Sequence, residues 1–577
     1  MVRSVAGCLL SLAVWPLLCL AQTSTSDTAF RITSRIVYVN VVVRDRQGHV
    51  VHGLAQRDFR LTEDGALQSI DYFDERRYPP GEEHGSGSAG SPVSEPGLRP
   101  SPTSEFTNVP AAGAASDSVS IILFDLLNTV ATDQESARRH LLNFLGSLPR
   151  EQKVALFVLT NRLQMVQSFT GSSDRLIEAA RHIDPRNFGL IKSDGESMQD
   201  VDMFAGFAKA VGAGALLTQV EQAERDEKAG DEAIRARITI AALSELARAT
   251  SGYPGRKNLL WLAESFPLAA GAQLERSKVE SRSNLLEARE TANLIADAQI
   301  AVYPINLLGL DTGAVGSNVS GASSVSAMGA PQGSLLKPQK GDTLRTQFTA
   351  RAILRDQMEE LAGQTGGEPF TNTNDFTRAL QLSMEDGSNY YTLVYRPQNQ
   401  KWDGRFRRIH LEVVRKGCSL SYRRGYFALD NTDSASSVEE LNAALQPETH
   451  EWTMLLLHSK VEITGRMVSV KSALDAASLG LNSADDGHRR GRLLVRLVVF
   501  PDSQAAADHA NRVVVSQGSA VLDLDFDAAR YQEALSNGVS FTQQLKLVPG
   551  HYRLRLGVAD PGSHRLGTLD MPVVVNP

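Results

Sequence analysis

The sequence predicts an α/β protein with a mostly parallel sheet, one antiparallel edge strand, and β-sandwich units at both ends. Three observations predict it. Nearly continuous apolar runs at 119–124, 153–160, 259–262 and 299–306 alternate with stretches at helical spacing. That is the pattern of strands buried on both faces and covered by helices. The run at 163–169 follows 153–160 too closely for a crossover helix, so the two make a hairpin and supply the antiparallel member. Outside this region the apolar period changes to two, as in Tyr391, Leu393, Tyr395 and in Leu522, Leu524, Phe526, which marks half-buried antiparallel strands.

Taken in order, residues 1–21 read as an export signal. Arg3 opens it, an apolar run fills 7–20, and Cys19-Leu20-Ala21 offers a small-x-small cleavage site. An uncleaved anchor is the competing reading, and no later segment is apolar enough for a membrane span. The mature chain then keeps only Cys418, at a strand end, and can form no internal disulfide. Residues 31–76 form a small β unit, with a strand at 36–44 and an Asp64-Gly65 hairpin signal to which 70–73 returns. It is too short to hold a core alone, so it is predicted to pack with strands in 389–428 as one sandwich around the α/β unit. The Pro-, Gly- and Ser-rich stretch 78–118 reads as a flexible linker.

The α/β unit spans 119–386. Thr132-Asp133-Gln134-Glu135 resembles a capping box, and Ala137, Leu141, Phe144 and Leu148 form the stripe of the helix that follows. Residues 187–233 read as a partly helical insertion, before Ile238, Ala242, Leu246 and Ala249 restore helical spacing. A helix is expected over 276–298, a Gly/Ser-rich loop over 311–341, a short strand at 368–371 and a last helix at 376–384. After strands in 389–429 and a linker at 430–437, residues 440–577 read as an immunoglobulin- or fibronectin-like sandwich.

Composition narrows the function. A formal charge of -7 gives no basic face for nucleic acid. No His-Glu-x-x-His, Gly-x-Ser-x-Gly, Walker or dinucleotide motif appears, so no enzyme is predicted. Asp523, Asp525 and Asp527 have calcium-loop spacing but lack its Gly and distal Glu, and the first two read as a solvent face. Arg423-Arg424 reads as an exposed turn. Tyr390, Tyr391 and Tyr395 read as packing between units.

Four stretches in combination carry a family resemblance: VYVNVVVRDRQGHVVHGLAQRDFRLTEDG (37–65), ILFDLLNT (122–129), GRKNLLWLAESFP (255–267) and YRRGYFA (422–428). Over roughly 31–429 the chain resembles the bacterial proteins related to the von Willebrand factor type A domain, whose fold is Rossmann-like. The resemblance implies that the strands ending at Asp125 and at Glu264 are central. It also implies a metal-ion-dependent adhesion site, built from an Asp-x-Ser-x-Ser loop, a Thr from a later loop and a second Asp. Here Leu127 and Thr129 stand at the two Ser positions, and Glu264 and Ser265 stand near the second Asp. The later Thr has no clear counterpart; Thr218 lies in the insertion. The implied metal set is Asp125, Thr129 and Glu264, with Asn128 and Ser265 facing a ligand. The cation would be magnesium, which takes oxygen ligands at about 2.0–2.1 Å, and no tightly bound cofactor is expected. The competing reading has Asp125, Asn128 and Thr129 capping backbone groups at a strand–helix turn.

The expectation is an exported protein, secreted or periplasmic, that binds protein ligands through a degenerate adhesion site. A metal-independent scaffold of the cell envelope is the alternative.

Overall fold

The computed structural model describes residues 36–77, 103–110, 119–148, 153–184, 214–266, 280–306, 355–370, 376–429, 434–484, 486–502 and 516–577. The export signal 1–21, the loop 311–341 and the first part of the insertion, to 213, lie outside them. The chain is a mixed α/β protein, and its described residues form five sheets, four of them antiparallel throughout. No described helix is long and apolar enough to cross a membrane.

Parallel pairing is confined to one five-stranded sheet. Its order is Ile300–Asn306, Lys257–Ala263, Val119–Asp125, Lys153–Leu159, Leu163–Thr170. The first four strands run parallel and Leu163–Thr170 is antiparallel. Every residue of Val119–Asp125, Lys257–Ala263 and Ile300–Asn306 is buried, which is why these strands read as continuous apolar runs. One face packs Ile121, Leu123 and Trp261 on Leu243 and Leu246 of the helix Gly214–Thr250. The other packs Ile122 and Phe124 on Leu141 and Phe144 of Ala131–Gly146 and on Leu176 of Ser173–Arg181.

Two antiparallel sheets from distant pieces of chain share another core. Val37–Arg44 lies between Ser419–Ser421 and Tyr390–Tyr395, with Ile70–Arg76 at the edge. Phe406–Val413 lies between Gly425–Phe427 and Phe59–Glu63, with Ala66–Leu67 at the edge. Val39, Val41, Phe59, Leu61, Tyr391, Leu393, Ile409 and Leu411 fill the space between them. Asp64 and Gly65 both have positive φ, 47° and 85°, the conformation a two-residue hairpin needs. The returning strand is Ala66–Leu67, however, and Ile70–Arg76 crosses to pair with Tyr390–Tyr395 in the other sheet. Phe73 explains the switch, because it stacks on Tyr391 at 5.8 Å in the shared core.

The sequence reading needs several corrections. The stretch 78–118 is not linker throughout, since Thr103–Thr107 is an edge strand paired to Leu457–Thr464 of the C-terminal unit. Five residues cannot announce themselves by composition; the partner edge and Asn108 fix them. Asn108 donates to the carbonyls of Trp452, Leu455 and Thr568 and accepts from Leu457 N. The first long helix begins at Ala131 after Val130, with no side-chain cap, so Thr132 is not its N-cap. The insertion has no boundary at 233, because one helix runs from Gly214 to Thr250. Residue 370 makes only an isolated bridge to Ile305, not a described strand. The linker 430–437 runs into a helix, Ser434–Ala444, and a second unforeseen helix, Ala528–Asn537, interrupts the C-terminal strands.

Arg423 is buried rather than exposed. It donates to Gly425 O and lies 5.8 Å from the Tyr426 ring. Among the three acids at 523–527, Asp523 and Asp525 face solvent opposite Arg492 and Arg490, and Asp527 caps the helix Ala528–Asn537. The tyrosines 390, 391 and 395 are all buried.

Candidate functional site

The strand Val119–Asp125 delivers Asp125 to the carboxyl edge of the parallel sheet, where the chain turns through Leu126–Val130 into the helix Ala131–Gly146. In open α/β sheets ligands gather at this edge. Asp125 is fully buried. Its Oδ1 accepts from Asn128 N at 2.9 Å. Its Oδ2 accepts from Asn128 Nδ2 at 2.7 Å and from Trp261 Nε1 at 2.9 Å. Burial pushes the carboxyl up to about 6, opposed by the hydrogen bonds from Asn128 and Trp261.

The other predicted residues close on the same turn. Thr129 Oγ1 donates back to Asp125 O at 2.6 Å, so it points along the backbone. Glu264 Oε2 accepts from Val130 N at 2.9 Å. Burial, with Asp133 nearby, lifts the Glu264 carboxyl to about 7. Asn128 O accepts from the backbone N–H groups of both Glu264 and Ser265 at 3.2 Å. The structure thus brings all five predicted residues to one turn, yet their polar atoms face one another. Asp125 fastens the middle of the turn and Glu264 its end.

Two participants escaped the sequence reading. Trp261 lies four residues into the neighbouring strand Lys257–Ala263, where its apolar run looks like plain core. Thr239, on the helix Gly214–Thr250, accepts from Asn128 Nδ2 at 2.8 Å and donates to Arg235 O at 2.8 Å. Thr239 sits four residues before Leu243 on a fully buried stripe, and a hydroxyl in that stripe is the one signal that could have found it. The side chain of Thr218 lies outside the described residues.

Magnesium, which the resemblance implies, does not fit this donor set. Both oxygens of Asp125 are taken by N–H donors, Thr129 is turned inward, and Leu127 is packed in the apolar layer beside Trp261. The Asn128 amide lies between Asp125 and Thr239, bridging two oxygens as a cation would. None of the buried side-chain atoms of Asp125, Asn128, Thr129, Thr239 or Glu264 lacks a partner. Among the described residues no three His, Cys, Asp or Glu side chains are placed to hold a metal ion. Asp125, Thr129 and Glu264, with Asn128 and Ser265, stand together as a hydrogen-bonded turn. Burial explains the arrangement, because a buried carboxylate finds its partners among nearby N–H groups.

No family model matches the chain, and no curated protein matches its sequence. Solved structures resemble it in part. An aerotolerance-related membrane protein from Bacteroides fragilis is 12% identical over 47% of this chain and 98% of its own, with a TM-score of 0.23. The BatB protein of Bacteroides thetaiotaomicron is 12% identical over 46% and 96%, also at 0.23. A von Willebrand factor type A protein from Catenulispora acidiphila is 10% identical over 57% and 72%, again at 0.23. At these scores the functional reading has to rest on the chain's own geometry.

Proposed function

We propose that this is an exported, non-enzymatic scaffold or protein-binding protein of the cell envelope. Its α/β unit is of von Willebrand factor A type, with a Rossmann-like sheet, and it works without a metal ion. The observation that carries the reading is the Asp125 carboxylate, fully buried and held on both oxygens by Asn128 and Trp261. A carboxylate engaged in this way stabilises a turn and presents nothing to a partner. The strand-end turn acts as a fastener between the sheet and the helices Ala131–Gly146 and Gly214–Thr250, and protein ligands are met elsewhere on the surface.

Thermal unfolding with and without magnesium or manganese tests this. A ligand that binds only the native state must raise its stability. The expected result is the same melting temperature with either ion and with chelator. A metal-dependent rise in wild type that disappears in Asp125→Ala would restore the adhesion-site reading.

A further inference from the structure

An open groove among the described residues lies far in sequence from that turn. It holds about 580 Å³ and is lined by Gln56, Arg57, Phe59, Arg60, Leu61, Leu67, Gln68 and Ile70. It forms where the edges of the two N-terminal sheets meet. Phe59, Leu61 and Gln68 are buried and make its floor. Leu67 stands at the rim with 58% of its surface exposed, and Arg57 and Arg60 are exposed beside it.

The backbone at this place is an incomplete ladder. Asp58 O and Asp64 N bond to the strand Phe406–Val413 and its continuation, through Val414 N and Arg408 O, both at 2.9 Å. With a period of two, Phe59 and Leu61 turn their polar groups to the opposite, outer side, where Phe59 N already donates to Gln56 O and Phe59 O and Leu61 N are left on the edge. The edge strand Ala66–Leu67 covers only Thr62 and Glu63 there, and Gln68 N reaches Leu61 O at 2.9 Å. Beyond Leu61 the ladder stops and the groove begins. A sheet edge that stops over an apolar floor is a template for strand addition.

Charge selects the occupant. Neither Arg57 nor Arg60 is held by an ion pair among the described residues; Glu412, across from Arg60, is bonded to His410 instead. Two guanidinium groups held in no ion pair among the described residues, beside an apolar floor, suit a strand whose alternate residues are apolar and acidic. We propose that this groove binds an extended peptide segment of a partner protein, added as a strand to Phe59–Leu61, with apolar side chains on Phe59 and Ile70 and carboxylates on Arg57 and Arg60. The proposal rests on the protein-binding reading above and gives that reading its surface.

The test uses the full chain and fluorescence anisotropy with two labelled peptides, one alternating valine with glutamate and one alternating valine with lysine. The expected result is a preference of about tenfold or more for the glutamate peptide, weakened by salt. The double variant R57E/R60E is expected to reverse that preference, which a misfolded protein could not do. Equal binding of the two peptides, binding of neither, or a preference that survives the double reversal would overturn the proposal. Those outcomes leave the metal-independent reading untouched, since it is judged by melting temperature alone.

Discussion

The two ends of the strand Lys257–Ala263 bury polar groups by opposite means. At the carboxyl end, Glu264 and the neighbouring Asp125 are carboxylates gripped by N–H donors from one short turn. At the amino end, Arg256 and Lys257 are buried cations. Lys257 Nζ donates to the carbonyls of Tyr253 and Gly255 at 2.6 and 2.9 Å, and burial lowers it to about 7. Arg256 donates to Tyr303 Oη at 2.9 Å and Gly366 O at 2.7 Å, and Tyr303 Oη donates to Asp386 at 2.9 Å. Asp386 also accepts from Arg44, which belongs to the N-terminal sandwich. The first arrangement closes a turn within one unit. The second joins two units of the chain. In both, the charged groups are turned inward to protein partners.

Breaking the amino-end network should cost most. Asp386→Ala removes the acceptor of Tyr303 Oη and one of the two carboxylates on Arg44, which keeps Glu385 and Gly48 O, and the loss of one partner in such a buried network costs about 3–5 kcal/mol. Urea unfolding should show it, and a change below about 1 kcal/mol would mean the two sheet units are not coupled through Asp386. Next comes Asp125→Ala, which leaves the Asn128 and Trp261 donors buried without an acceptor, at about 1–3 kcal/mol for each unsatisfied group. Stability close to wild type there would contradict a structural role for the carboxylate.

The pH profile sharpens the comparison with smaller effects. Asp125 and Glu264 hold protons more tightly folded, about 6 and 7, than at their ordinary values of 3.8 and 4.5. Their contribution is therefore fully present below about pH 4 and is lost as pH rises through 6 to 7. Lys257 has the opposite profile. It gives up its proton more readily folded, about 7, than at its ordinary 10.5, so its contribution is gained as pH rises from about 7 to 10.5. Lys257→Met should raise stability at pH 6 and remove the gain above pH 7. Glu264→Gln keeps an acceptor for Val130 N, should shift stability by less than about 1 kcal/mol at pH 5, and should flatten the decline toward pH 7. Melting temperatures across pH 4–10 check both, and unchanged profiles would show that these groups do not titrate with folding.

Much of this was legible in the residues. Unbroken apolar runs marked Val119–Asp125 and Lys257–Ala263, and Asp64-Gly65 marked its turn, because each signal is local. The helix Ser434–Ala444 was missed because its few apolar positions, Leu441 and Ala444, gain meaning only against Val498 and Phe500. The strand Thr103–Thr107 was missed for the same reason, since its pairing partner lies about 350 residues further on. At the candidate site the sequence found all five residues of the turn and missed the two from other elements.

By itself the sequence determined where the buried parallel strands form and that a carboxylate ends one of them, since side-chain period and turn chemistry act over a few residues. Only the tertiary structure decided which way that carboxylate faces. Trp261 and Thr239 reach the turn from 136 and 111 residues away along the chain, and in a dry interior the nearest N–H donors, not the residue type, settle what a carboxylate does.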